Sequence, residues 1–121
     1  MNSVNVQEKV EKYQMDKRNA VTTTQLRLLL SNAVIIKNKI QVEERKEKKN
    51  VISEKLENEI KYLLVKHIYQ CGREPKVKIF DKEFHISEKI KEVGNSAKKF
   101  NDFYRYLEEI VAYMKYYESD K

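Results

Sequence analysis

The sequence predicts an all-α domain, a small bundle of about five helices. Three observations point there. Apolar residues recur at three- and four-residue spacing through most of the chain, which is the period of one helix face. Ser, Thr and Asn stand just ahead of several of these stripes, where a side-chain oxygen can cap a helix start. Glycine and proline are scarce, two and one in 121 residues. Hairpins and phosphate-cradling loops consume glycine, so this shortage argues against an all-β fold and a P-loop.

The elements follow in order. Residues 1–20 are weakly patterned, with Val6, Val10 and Tyr13 at helical spacing, and are expected to be flexible or weakly helical. Residues 21–118 are expected to form the bundle. Thr22-Thr23-Thr24-Gln25 suits a capping box, and Leu26, Leu29, Leu30, Ala33 and Ile40 then run at helical spacing. The charged stretch Glu43 to Asn50 reads as a solvated helix end or a loop. Ser53 is the expected N-cap of the next helix, whose apolar face is Leu56, Ile60, Leu63, Leu64, His67, Ile68 and Cys71. Gly72 is the expected left-handed stop of that helix. Pro75 suits the first position of a short helix carrying Val77, Phe80 and Phe84. Ser87 begins another through Ile90 and Val93, ended by Gly94, and Asn95 or Ser96 caps the last, which reaches about Tyr117.

In that last helix Phe100, Phe103, Tyr104, Leu107, Ile110, Val111 and Met114 make one stripe, with Tyr106, Tyr113 and Tyr117 beside it. At ~100° per residue the apolar and aromatic arc covers about half the wheel, wider than a surface helix needs. Either the helix is central in the bundle or its aromatic flank meets another protein.

Composition bounds the function. Residues are 40% hydrophobic and 36% charged, with mean hydropathy −0.78. That is too apolar for a disordered tail and too charged for a membrane protein. The longest apolar runs are a few residues, against roughly 20 for a spanning helix. A single cysteine, Cys71, excludes an intramolecular disulfide, and no signal-peptide pattern opens the chain, so the reading is a cytoplasmic protein without membrane contact. The formal charge is +6. Residues 61–82 hold six basic and two acidic side chains, and so most of the excess. A concentrated positive segment is what phosphate binding needs, although a lysine-rich solvated surface has the same composition.

Three stretches together resemble a known family. The first is Thr22-Thr23-x-Gln25-Leu26-Arg27-x-Leu29-Leu30. The second is Tyr62-Leu63-x-Val65-Lys66-x-x-Tyr69-Gln70-x-Gly72-Arg73-x-x-x-Val77-Lys78-x-Phe80. The third runs from Phe103-Tyr104-Arg105-Tyr106-Leu107-Glu108 through Ile110-Val111-Ala112-Tyr113 to Lys115-Tyr116-Tyr117. In order and spacing they are similar to the small subunit of the type III-A CRISPR effector, the Csm complex, over about Thr22 to Tyr117. Tyr-Gln-x-Gly-Arg with the downstream Val-Lys is the most specific part. The chain departs from the family pattern at Cys71, where Ala is usual, at Glu109, a small-residue position, and at Glu118-Ser119-Asp120, in place of a Gly-Gly tail.

The resemblance implies a helical bundle stacked in copies along the inner filament of a guide-RNA complex, with no nuclease role and no cofactor. The implied partners are guide RNA, target RNA, the other subunits and copies of itself. Base pairing then supplies sequence specificity, and Lys and Arg supply sequence-blind backbone contacts. The candidate RNA contacts are Arg27, Lys61, Lys66, Arg73, Lys76, Lys78 and Arg105. Arg27 can equally pair with a carboxylate, and Arg105 can equally meet a neighbouring subunit. Tyr106, Tyr113 and Tyr116 are the candidate subunit contacts.

No catalytic constellation is visible. His67 and Cys71 have a ligand spacing, i and i+4, with His85 as a possible third ligand. A hydrogen-bonded core histidine and a small buried thiol explain the same residues. Glu108 and Glu109 point about 100° apart on a helix and form no dyad. No metal is therefore expected. Two other classes of function fit parts of the chain. Ile86 to Phe103 has a helix-turn-helix outline, as in a DNA-binding regulator, and a helical adaptor would use the basic segment on an acidic protein.

Overall fold

The computed structural model describes residues 3–16, 20–47 and 50–118. Among them are six helices: α1 (Ser3–Met15), α2 (Thr23–Glu47), α3 (Glu54–Arg73), α4 (Pro75–Phe84), α5 (Ile86–Val93) and α6 (Ala97–Glu118). The all-α expectation holds, but the count is six rather than about five. The added helix is α1, which the packing of Val6 and Val10 at 2% and 0% exposure supports where its own pattern was weak. No strand occurs among the described residues, only an isolated bridge between Val51 and Ser96. Ser119 and Asp120 lie outside the described residues.

The starts of the helices are set by local chemistry. The Thr22 N–H donates to Gln25 Oε1 at 2.9 Å and the Gln25 N–H to Thr22 Oγ1 at 3.2 Å, a reciprocal capping box. Ser53 caps α3, its Oγ accepting from the Leu56 N–H at 3.3 Å. Pro75 opens α4 and also decides where α3 ends. A residue before proline is pushed out of the helical region, and Glu74 is extended at φ −119°, ψ 103°. Gly72 is therefore a residue of α3 and not its left-handed stop. The left-handed turn comes later, at His85 (φ 58°, ψ 40°), which joins α4 to α5 with no loop. Gly94 at φ 55°, ψ −123° closes α5 in a region that side chains disfavour.

Longer contacts fix how the helices pack. The Glu118 carboxylate accepts from the Thr23 N–H at 3.0 Å and Thr23 Oγ1 at 3.2 Å, joining the end of α6 to the positive end of α2. Glu43 accepts from the Ser53 N–H and Oγ at 3.1 and 2.6 Å. The α2–α3 connection pairs with the α5–α6 connection through Ile52 N to Asn95 O and Ala97 N to Asn50 O, both 2.8 Å.

α6 packs against α1, α2 and α5, while α3 packs against α2, α4 and α5. That placement accounts for the wide apolar arc of α6. Phe100, Phe103, Tyr104, Leu107, Ile110 and Met114 are all buried, each contributing on the order of 1.5–3 kcal/mol by removal from water. Phe80 and Phe84 of α4 are fully buried, with the Tyr13 ring edge-on to both at 6.0 and 5.3 Å. Ile68, expected on the buried face of α3, is instead 49% exposed. Among the described residues no helix is long and apolar enough to cross a membrane.

Candidate nucleic-acid interface

The outward face of α3 carries the site. Tyr62, Lys66, Tyr69 and Arg73 are spaced four, three and four residues apart, which puts all four within about 60° of one another around the helix. All four are exposed. Lys66 Nζ sits 4.9 Å from the Tyr62 ring centroid, and the Arg73 guanidinium carbon 5.9 Å from that of Tyr69. The stripe alternates ring and cation along about 16 Å of helix. From Ile60 to Arg73 the chain contains no carboxylate. Lys61 is exposed on the same helix, about a quarter turn from Tyr62, and Lys76 and Lys78 are exposed on α4, which follows directly.

None of the seven candidate cations lies within ion-pair distance of a carboxylate among the described residues. Lys39 and Lys98, by contrast, pair with Glu59 at 2.8 Å and Asp102 at 3.1 Å. Arg27 is exposed near the start of α2. Arg105 projects from α6 into the lining of a cavity of about 550 Å³, together with Lys89, Lys99, Glu92, Asp102 and Glu109. Three cations face three carboxylates there, so that cavity offers a polyanion little net attraction. The α3 stripe is the coherent positive surface; Lys76 and Lys78 follow it in the chain but, two residues apart on α4, point about 160° from each other.

The three tyrosines of α6 differ in setting. Tyr106 is tied inward: its hydroxyl donates to the Phe84 carbonyl at 2.9 Å and Lys89 Nζ lies 4.6 Å from its ring centroid. Burial, with the charge of Glu83 adding, pushes its hydroxyl pKa up to about 12. Tyr113 is half-buried against the core, whereas Tyr116 is 63% exposed, edge-on to Tyr117.

Beneath the stripe, His67 is buried at 3% exposure and its Nε2 is 2.8 Å from Asp81 Oδ1. Asp81 also accepts from the Ser87 N–H at 2.7 Å and Ser87 Oγ at 2.9 Å. One carboxylate thus joins α3, α4 and the first turn of α5. Burial opposes its ionisation, but the hydrogen bonds from His67 and Ser87 outweigh that and hold Asp81 below the usual carboxylate range. Cys71 Sγ lies 3.7 Å from His67 Nε2, and burial with the Asp81 charge pushes the thiol up to about 11.

The donor atoms of His67, Cys71 and Asp81 lie within 4.8 Å of one another, close enough to surround a cation. The third member is Asp81 rather than His85, which is exposed with Nδ1 3.5 Å from Glu88. Asp81 and His67 already satisfy each other and fix the helix junction. Asp81 escaped the sequence reading because its partners lie on other elements. The helix-turn-helix outline is present as α5, Gly94 and α6, but Ala97, Phe100 and Phe103 of the would-be recognition helix are buried.

The sequence profile of the family described as Csm2 Type III-A matches residues 3–120, nearly the whole chain. The chain belongs to the Csm2 family. Three relatives are each named "CRISPR system Cms protein Csm2". That of Mycobacterium tuberculosis is 34% identical over 96 residues, covering 79% of this chain and 74% of its own. That of Enterococcus italicus is 34% identical over 101 residues, 82% of this chain and 69% of its own. That of Streptococcus thermophilus is 36% identical over 97 residues, 80% of this chain and 73% of its own. As a Csm2 chain it is a small subunit of a type III-A CRISPR complex. The Cys71 thiol and the Glu118 carboxylate have structural roles here. Cys71 fills space beside His67, and Glu118 binds the start of α2.

Proposed function

We propose that this Csm2 chain is a non-catalytic, cytoplasmic subunit that stacks in copies along the inner filament of the complex and holds guide and target RNA by their backbones, without reading sequence. The supporting observation is the exposed face of α3, acid-free from Ile60 to Arg73, together with the start of α4. Lys61, Lys66 and Arg73 of α3 and Lys76 and Lys78 of α4 are exposed and have no carboxylate partner among the described residues. Unpaired surface cations release counterions when phosphates replace them, which gives affinity without sequence preference. The side of α6 that carries Tyr106, Tyr113 and Tyr116 meets neighbouring subunits, because aromatic side chains bury large area with little rotamer entropy.

Reconstitution of the type III-A complex with and without the chain tests this. The complex containing the chain should bind target RNA more tightly, and the purified chain with Mg²⁺ should cleave none. Equal RNA affinity with and without it, or cleavage that disappears on changing one of its own residues, contradicts the proposal.

A further inference from the structure

Backbone contact by cations explains the lysines and arginine of α3 but not its rings. Tyr62 and Tyr69 are 60% and 61% exposed, flanked by Val65 and Ile68 at 57% and 49%. A phosphate backbone gives an aromatic ring nothing to stack on, and a paired base inside a helix hides both its faces. The stripe repeats one unit twice, a tyrosine followed four residues later by a cation that lies over its ring. The two rings are about 10.5 Å apart along the helix, about three times the separation of stacked bases.

We propose that Tyr62 and Tyr69 are stacking platforms for unpaired RNA bases, with Lys66 and Arg73 holding the adjoining phosphates. This rests on the RNA-binding role proposed above and adds to it a preference for strands, or positions in a strand, whose bases are not paired. Stacking on an aromatic face is tolerant of sequence because every base has one, so the preference is for unpaired structure and not for particular bases. Charge complementarity selects this occupant. A polyanion supplies a phosphate for each cation and a base for each ring. An apolar protein partner covering the same rings would strip water from Lys66 and Arg73 without returning any charge.

The test uses the full chain and a short single-stranded RNA carrying 2-aminopurine, whose fluorescence falls when it stacks. The wild-type chain should quench the probe and bind it more tightly than the same strand in a duplex. Tyr62→Leu with Tyr69→Leu should abolish the quench and weaken single-strand affinity roughly 5- to 150-fold per ring. The salt dependence, set by the cations, should stay as it was, as should the melting temperature, since neither ring is in the core. Quenching that survives in the double variant overturns the assignment. So does a variant that binds RNA normally but fails to enter the assembled complex, since the stripe would then be a protein interface. If the wild-type chain shows no salt-dependent RNA binding at all, the RNA-binding role itself falls, and the stacking assignment with it.

Discussion

Arg73→Ala combined with Lys78→Ala is expected to leave the chain folded and to weaken its RNA binding sharply. Both side chains are exposed and neither is paired with a carboxylate among the described residues, so removing them costs the fold little. Arg73 is the stronger contact, because a guanidinium grips phosphate with two parallel hydrogen bonds where an ammonium makes a point contact. Its removal should cost about 1–2 kcal/mol of binding, and the double change more than that but less than twice as much. Removing one phosphate-binding cation should also flatten the dependence of log K on log salt by about 0.7–0.9, so the double variant's slope should fall by about 1.4–1.8. With several copies aligned along one duplex these effects multiply. If both variants bind RNA as the parent does at low salt, the segment is only a solvated face, and the contact lies at Arg27 or Arg105.

Asp81→Ala is expected to have the largest effect on stability of any polar substitution. It removes three hydrogen bonds and leaves the buried His67 ring without its partner. The cost should be about 2–4 kcal/mol, a fall of roughly 8–16 °C in melting temperature for a domain of this size. The pH dependence has a definite sign. Asp81 is held below its ordinary pKa in the folded state. The stability it contributes is therefore complete above the unfolded carboxyl value of about 4 and is lost as pH falls through the lower folded value. Thermal melts of the parent and Asp81→Asn should differ most near neutral pH and converge in acid. A gap that stays constant from about pH 7 down to about pH 3 would show that the ionised carboxylate contributes nothing.

Much of the fold was legible because its signals are local. The capping box at Thr22, the Ser53 cap, Pro75 at the start of α4 and the apolar stripe of α6 each need only a few neighbouring residues to be seen. The basic character of α3 was legible for the same reason, since Lys66 and Arg73 stand one heptad apart in a stretch without acids. What was not legible depends on tertiary structure or on a more distant neighbour. Gly72 has the look of a helix stop, but the turn conformation is imposed further on by Pro75 acting on Glu74. α1 has a weak pattern of its own and is held by packing against α6. Asp81, Glu43, Asn50 and Glu118 bind groups on other elements, and nothing in their immediate sequence distinguishes them from surface polar residues. The exposure of Tyr62 and Tyr69 follows from which face of α3 its neighbours cover.

Whether the α3–α4 surface touches RNA in the assembled complex decides the proposed function. Photo-crosslinking of 4-thiouridine-substituted target RNA in the intact type III-A complex, followed by mass spectrometry of the linked peptides, measures that directly. The predicted result is crosslinks concentrated in residues 61–78, led by the rings of Tyr62 and Tyr69. Crosslinks to this subunit that fall elsewhere, or none from a complex that demonstrably contains it, would contradict the proposal.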